Sequence, residues 1–430
     1  MKIVKVKDIS NHVGETVKLQ GWVRNYRKAS SKLRFVIFRD GTGVIQTVAF
    51  KPAMGVENFD KVKELTLESS LEIIGKPEKH PKKEDVYEFQ LEDINIIHLA
   101  AEYPIGKKSH GSDFLLSNRH LWIRSPYQAA ILKIRHTVYS AIMEYLEQND
   151  FYRFDSPILT PTACEGTTTL FSVPYFDEGS AYLSQSGQLY LEPGIMSLGR
   201  VYDFGPVFRA EKSKTRKHLT EFWMMDAEAA FVEHEENMQI QEDLIRYVIR
   251  SVIKKNKRDL KLLERNIDTL KKADNKFKKM SHKEAIDLLK KKGFEIDYND
   301  DFGAKEEAAI SENSDVPIFI EKWPKDLKAF YMKRDKDDLA LGSDLISPEG
   351  FGEIIGGSQR EDDYDVLLNR MKEKNLPIEE YQWYLDVRKY GSVPHSGFGI
   401  GLERLVAWMA GRKYIRETIP FPRMINRLRP

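Results

Sequence analysis

A chain of 430 residues, 41% hydrophobic and 31% charged, has room for two or three domains and the composition of an ordinary globular protein. Its net charge of +1 excludes a whole-chain attraction to a polyanion, so any such attraction must be local. One cysteine, Cys164, excludes an internal disulfide and a cysteine metal cluster, and is expected of a reducing, cytoplasmic setting.

The first residues, MKIVKVKDISNHVGE, alternate charged and β-branched side chains with no apolar run, so neither a secretory nor a transit peptide is predicted, and no membrane partner is expected. Residues 17–50 alternate apolar and polar residues and break at Ser30-Ser31 and Gly41-Thr42-Gly43, which predicts three short strands. Between Trp22 and Arg39 stand six Lys or Arg and no acid. A small closed barrel carrying Trp22, Tyr26, Phe35 and Phe38 among those cations suits single-stranded nucleic acid, whose bases stack on aromatics and whose phosphates pair with a basic rim. A barrel that turns its aromatics inward and solvates its charges fits the same residues, and both readings stand here. SLEIIGKPEK and YEFQLEDINIIHLA bring the strands to about five, an OB-type barrel over residues 1–104.

Residues 105–124 read as a linker. From Ser125 a long amphipathic helix is predicted, with Ile131, Ile134, Val138, Ile142 and Leu146 on one face, and with it begins a larger α+β domain, 125–430. DFYRFDSPILTP, 150–161, adds a strand carrying Pro157. Cys164 reads as a packing residue. Residues 200–231 predict a strand ending in Phe208-Arg209-Ala210-Glu211, a Lys- and Arg-rich loop, and a return strand with Glu221, Phe222 and Asp226. An arginine and a carboxylate at i and i+2 share a strand face, where they can meet a phosphate oxygen and an amino group, or merely pair across strands. The lysine-rich stretch 254–292 predicts a helical insertion, extending to about 310, with a solvated face. Near the end, HSGFGIGLERLVAWMAG spaces Gly397, Gly399 and Gly401 ahead of an apolar helix whose first turn holds Arg404; it fits neither the dinucleotide fingerprint nor the P-loop. No serine or cysteine stands in a convincing nucleophile pattern with a histidine.

Taken in order, DFYRFDSPILTP, FRAE-loop-EF and GFGIGLER resemble motifs 1, 2 and 3 of the class II aminoacyl-tRNA synthetases, and the barrel-first order resembles the subgroup for aspartate, asparagine and lysine. The implied fold is an OB barrel followed by a catalytic domain on an antiparallel sheet flanked by helices. The resemblance implies that Arg209 binds the α-phosphate of ATP, Glu211 and Phe222 the adenine, His218 the distal phosphates and Arg404 the γ-phosphate, with Gly401 in the nucleotide site and Arg209 and Arg404 central to catalysis. The glycines would clear room for ATP. Mg²⁺ is implied at Glu353 and Asp344, Asp344 being the weaker ligand because the gap between them exceeds that of relatives by a residue or two. KMSHK at 279–283 and HVGE at 12–15 imitate class I signatures, but one lies in the lysine-rich insertion and the other opens the barrel.

Such chemistry brings a carboxylate against an α-phosphate, so cations that neutralise the growing charge are what it requires. For the amino acid, aspartate enzymes resemble QSGQLYLEPG but carry a lysine at the position of Leu191. Here Glu192 follows, with Arg360 across the pocket, and a carboxylate opposite an arginine suits a carboxamide and repels aspartate. Glu165, in CEGTTTLFSV, is implied at the α-ammonium, assisted by Gln185 and Asp226. The implied substrates are L-asparagine, ATP and tRNA(Asn), with Phe35 stacking on an anticodon base, Gln46 reading the central uridine, and a homodimer built through motif 1. A non-discriminating aspartate enzyme, a tRNA-independent asparagine synthetase and a non-catalytic RNA-binding paralogue are the alternatives; Leu191-Glu192, the intact barrel and the presence of Arg209, Glu211, Glu353 and Arg404 count against them in turn.

Overall fold

The alternating N-terminal segment forms the expected strands in a computed structural model that describes residues 1–106, 108–164, 170–213 and 215–430. They are β1 (Val17–Lys28), β2 (Leu33–Arg39) and β3 (Val44–Phe50), followed by helix α1 (Lys51–Glu64), β4 (Ser70–Lys79) and β5 (Tyr87–His98), closed into a barrel in the order β1-β2-β3-β5-β4. Inward-facing Leu19, Val36, Phe38, Ile45, Ala49, Ile73, Phe89 and Leu91 fill it, joined by Phe59 and Val62 of α1. Helix α1 has no clean apolar period because Gly55 (φ 79°) breaks it, so the sequence pattern did not reveal it.

The four barrel aromatics divide between the two readings. Phe38 is in the core, whereas Trp22 and Tyr26 are 39% and 40% exposed. Phe35 pairs with Val48 and Ile37 with Gln46 across β2 and β3, so Phe35 and Gln46 share the outer face. The Arg27 guanidinium lies 4.9 Å from the Phe35 ring, and Gln46 Nε2 donates to Glu88 Oε1 at 2.6 Å.

The chain divides after Gly111, earlier than the predicted start at Ser125. Half of the predicted linker is structured, as α2 (Ser112–Ser117) and α3 (Arg119–Trp122), because Arg119 is buried and donates to the carbonyls of Pro420 and Ile419, both at 2.8 Å. Helix α4 (Pro126–Gln148) starts where Ser125 Oγ accepts from Gln128 N and Pro126 fills the first turn. Its predicted face, Ile131 to Leu146, is buried in the largest core. Then come β6 (Tyr152–Arg153), β7 (Leu159–Thr160), β8 (Ser172–Pro174), β9 (Ser180–Leu183), α5 (Gln188–Leu198), β10 (Arg200–Phe208), β11 (Glu221–Ala230), α6 (His234–Lys255), α7 (Lys257–Leu262), α8 (Ile267–Ala273), β12 (Lys278–Ser281), α9 (His282–Lys291), α10 (Ala304–Ser311), β13 (Ile318–Pro324), β14 (Leu339–Ser347), β15 (Gly352–Gln359), α11 (Tyr364–Glu373), α12 (Gln382–Lys389), β16 (His395–Gly401) and α13 (Leu402–Ala410).

Eight strands form one sheet in the order β12-β13-β14-β15-β16-β11-β10-β6, antiparallel except at its two edge pairs, and β7-β9-β8 form a small second sheet. Helices α4, α6 and α13 bury Ile134, Val138, Ile245, Val248, Leu405 and Trp408 in one core with sheet residues Met225, Ile355 and Ile400. Glu403 fixes the start of α13, accepting from Arg135 Nη1 of α4 at 2.6 Å and from Trp223 N at 3.0 Å. The lysine-rich segment is more than a solvated helical insertion. β12 extends the sheet beside β13, and Ile286, Leu289 and Ile310 pack with Ile318, Ile320 and Trp323 beneath it. Ser281 of KMSHK serves as the N-cap of α9, in a capping box with Glu284.

Candidate active site

Five neighbouring antiparallel strands, β13, β14, β15, β16 and β11, and the first turns of α5 and α13 line a cavity of about 670 Å³. Strand β11 supplies its floor through period-2 alternation: Phe222, Met224 and Asp226 line it, and Glu228 continues the same face. The neighbouring strand β16 places Gly401, Gly399 and Gly397 opposite Met224, Asp226 and Glu228. A Cβ at Gly399 would lie 2.6 Å from Asp226 Oδ1 and one at Gly397 only 2.0 Å from Glu228 Oε1. Two of the three glycines therefore make room for carboxylates of the protein itself, a correction to the expectation that all three clear space for ATP.

One end of the cavity is cationic. Arg209 and Glu211 lie just beyond β10, in the loop rather than on the strand as expected, and Arg209 stays beside the sheet because its N–H donates to Thr220 O at 3.0 Å. Its guanidinium lies 5.5 Å from the Phe222 ring. Arg404, in the first turn of α13, donates to Glu353 O at 3.1 Å and Glu353 Oε2 at 3.2 Å. His218 contacts Ser213 and Thr215 through Nδ1 and approaches Glu211 through Nε2. Partial burial and then the charges of Arg404, Arg209 and Lys217 hold His218 below its ordinary pKa, Glu211 opposing them. The insertion contributes here too: Glu307 of α10 accepts from Lys217 Nζ and from Glu353 N, both at 3.3 Å.

Asp344 and Glu353, on β14 and β15, both line the cavity. Burial pushes the Asp344 carboxyl up to about 7, with Lys328 opposing and the Glu353 charge adding to the rise. The Glu307 carboxyl is raised by burial and then by Glu353. Asp344 and Glu353 offer oxygen donors of the kind a hard cation takes, although among the described residues no three such side chains are grouped closely enough to hold a metal by themselves. Mg²⁺ needs only one or two carboxylates when phosphates supply the rest. Both carboxylates have a cationic partner, Lys328 for Asp344 and Arg404 for Glu353, but Glu353 is the more exposed of the two, 34% against 15%, and is the more available ligand.

The other end is enclosed. Arg360 lines the cavity and donates Nε to both Glu228 oxygens, at 3.1 and 3.3 Å, in a pair with almost no solvent exposure. Asp226 accepts from Gly187 N at 2.8 Å and Ser186 Oγ at 3.0 Å, and faces Asp203 across β10 and β11. Burial first, and then the Asp226 charge, pushes the Asp203 carboxyl up to about 8.

Glu192 has a different placement from the expected one. It lies in α5, fully buried, and is not among the described residues lining the cavity. Its Oε1 accepts from Gln188 Nε2 at 3.1 Å and Tyr384 OH at 2.8 Å, and its Oε2 faces Arg388 Nη2 and, at 3.2 Å, His395 Nε2. With those partners satisfied, Glu192 has no oxygen turned toward a ligand; the carboxylate that meets Arg360 is Glu228. Leu191 packs with Ile195 and Val201. Gln185 is buried and likewise absent from the described lining, whereas Asp226, Arg209, Glu211, His218, Phe222, Asp344, Glu353, Arg360, Gly401 and Arg404 all line it. Glu165 lies outside the described residues. Sequence reasoning missed Glu228, Asp203 and Glu307. Glu228 was within reach, since the period that aligns Phe222 with Asp226 runs on to it; Asp203 and Glu307 depend on strand register and on how the insertion folds back.

Residues 111–425 match the family model for tRNA synthetases class II (D, K and N), and residues 17–97 match that for the OB-fold nucleic acid binding domain. The chain is 50% identical over 432 residues, and 100% of both chains, to the asparagine-tRNA ligase of Pelotomaculum thermopropionicum. It is 51% identical over 427 residues, 99% of each chain, to that of Desulforamulus reducens. Among solved structures it is similar to asparaginyl-tRNA synthetase from Pyrococcus horikoshii complexed with asparaginyl-adenylate (TM-score 0.95, 42% identity, 99% of both chains). The Entamoeba histolytica enzyme with the same adenylate gives a TM-score of 0.89 at 33% identity, over 100% of this chain and 99% of that one.

Proposed function

The chain belongs to the class II tRNA synthetases of the D, K and N family, and on that premise we propose that it is an asparagine-tRNA ligase whose substrate choice resides in the Glu228–Arg360 pair. A carboxamide presents an acceptor oxygen and a donor NH₂; Arg360 offers N–H groups and the Glu228 carboxylate accepts, so the pair complements both ends. An aspartate side chain would put a second anion against Glu228 in an enclosed site. That buried pair, whose Arg360 lines the cavity while Glu228 lies behind it on the strand face that carries Asp226, is the observation that carries the reading, and whole-length relatives named for asparagine support it.

The reaction proceeds in two displacements. An α-carboxylate oxygen of asparagine attacks the α-phosphorus of ATP, the bond to the bridging oxygen breaks, and pyrophosphate leaves with that electron pair. Arg209 stabilises charge on the α-phosphate, His218 and Arg404 hold the distal phosphates, and Phe222 and Glu211 receive the adenine. Gly401 leaves the nucleotide space between β16 and Arg404. The α-ammonium is assigned to Glu165, assisted by Gln185 and by Asp226, which lines the cavity. The 3′-hydroxyl of the terminal adenosine of tRNA(Asn) then attacks the acyl carbon, its proton is lost, and AMP leaves. Mg²⁺, held by Glu353 and more weakly by Asp344, would neutralise phosphate charge when bound.

The barrel's outer face, with Phe35 beside Arg27 and Gln46 on the next strand, is assigned to the anticodon. A homodimer through α4 is part of the proposal, supported by a shallow groove along that helix lined by His136, Tyr139, Ser140 and Met143. No helix among the described residues is long and apolar enough to cross a membrane, and a cytoplasmic site of action is inferred from the activity. ATP-pyrophosphate exchange with asparagine and aspartate in parallel tests the reading: at pH 8 exchange with asparagine is expected to far exceed that with aspartate, and comparable rates there would replace it with a non-discriminating enzyme.

A further inference from the structure

Behind the cavity lies a second charged cluster that the reaction does not use: Glu192 of α5, Tyr384 and Arg388 of α12, and His395 of β16, all buried. Taking charges out of water is costly, and a buried ion pair of this kind adds little net stability over an apolar isostere. Its contacts lead to the specificity pair. Gln188, which lines the cavity, donates to Glu192. The His395 carbonyl accepts from Arg360 N at 2.9 Å, and Arg388 Nε donates to the carbonyl of the adjacent Glu361 at 2.9 Å.

We propose that the Glu192–Arg388 pair, braced by Tyr384 and His395, is a positioning device that sets the charge with which Glu228 and Arg360 meet the substrate side chain, and so the choice of carboxamide over carboxylate. It rests on the reading of Glu228 and Arg360 given above. The charged and titratable groups acting on Glu228 are Arg360 at the end of β15, Glu192 on α5 and His395 on β16, and Arg388 and Tyr384 of α12 reach it through Glu192. Burial pushes the Glu228 carboxyl up to about 7; Arg360 pulls it down and Glu192 pushes it up. Burial also works against ionising Glu192, but Arg388 and His395 outweigh it and hold that carboxyl far below the usual range. Paired with Arg360, Glu228 as a carboxylate accepts from an NH₂ and repels aspartate; as the pH falls it takes up a proton and becomes an acid, which can donate to an aspartate carboxylate. The balance responds to the negative charge at Glu192.

The test is the pH profile of kcat/KM for ATP-pyrophosphate exchange with asparagine and with aspartate. Glu192→Gln removes a negative neighbour while leaving Arg388, so the acid limb for asparagine is expected to move to lower pH by about one unit, and aspartate-dependent exchange at acid pH to fall. Tyr384→Phe removes a hydroxyl that donates to Glu192 and changes no charge, so its small shift is expected in the opposite direction, with aspartate exchange rising. That conservative variant keeps the proposal testable if Glu192→Gln does not fold. Glu228→Gln removes the titrating group and is expected to abolish the limb. A structural role alone would lower rates without moving limbs in opposite senses. An acid limb at the wild-type pH in both variants, a shift of the same sign in both, or a limb that persists in Glu228→Gln overturns the proposal. Absence of asparagine-dependent exchange in the wild type at every pH would instead overturn the reading beneath it, and the proposal with it.

Discussion

At one end of the cavity the Arg360 and Glu228 side chains are 4% and 1% exposed and bound to each other; at the other, those of Arg404, Glu353 and His218 are 30%, 34% and 36% exposed. The enclosed end is organised before any ligand arrives, its charges already neutralised and its backbone fixed by β11, β15 and β16. The cationic end keeps its arginines, lysine and histidine close together and partly in water, where repulsion among them is screened. The contrast follows from the substrates. A neutral carboxamide offers only hydrogen-bond polarity, so discrimination demands rigid, dry partners, whereas a polyphosphate carries its own charge and can draw the cations into place.

Glu228→Gln is the most severe way to break this contrast. Removing one partner of a buried pair leaves the other charge uncompensated, a cost of about 3–5 kcal/mol. Thermal unfolding should show much of that loss, and asparagine-dependent exchange should fall by roughly two orders of magnitude or more. A variant with wild-type stability and full asparagine selectivity would mean that the pair is neither preorganised nor the reader of the side chain.

Arg404→Ala probes the other end and should separate activity from stability. Among the described residues its guanidinium donates to Glu353 alone, while α13 is anchored by Leu405, Val406, Trp408 and Met409. Loss of transition-state charge stabilisation of about 3 kcal/mol, on the order of a hundredfold in adenylate formation, is expected with little change in melting temperature. A fall in melting temperature as large as that of Glu228→Gln would erase the distinction between the two ends.

The same contrast explains what the sequence could reveal. The five barrel strands, α4, the β10–β11 hairpin and the β16–α13 junction were legible because each rests on a local period or a fixed motif, and the residues named at the cationic end line the cavity for that reason. Glu192 and Glu228 were not distinguishable in that way. Both are glutamates in apolar surroundings, and only tertiary structure shows that α5 turns Glu192 toward Arg388 while β11 carries Glu228 to Arg360. The insertion misled for a related reason. Its lysines sit outside, paired in part as Lys272 with Asp315 and Lys292 with Glu312, and hide an apolar face that only matters once β12 joins the sheet. The linker was misjudged because the binding energy of Arg119 comes from carbonyls about 300 residues away.

The smallest expected effect concerns His218 and sharpens the contrast by measuring protons rather than rates. Burial and the neighbouring Arg404, Arg209 and Lys217 depress its pKa, so at neutral pH the free enzyme holds it largely uncharged. A triphosphate placed among those cations reverses the sign of the local field and favours imidazolium, so ATP binding should draw in a fraction of a proton, greatest at pH values between the depressed and restored pKa and vanishing on the acid side, where His218 is already charged. Calorimetric titration of ATP in two buffers of different ionisation enthalpy reads that uptake directly. His218→Asn should remove most of it while leaving asparagine selectivity untouched, since the enclosed end does not sense the histidine. Equal uptake in the variant and the wild type would move the titrating group elsewhere, and a changed preference between asparagine and aspartate would show that the two ends are electrically coupled rather than separately built.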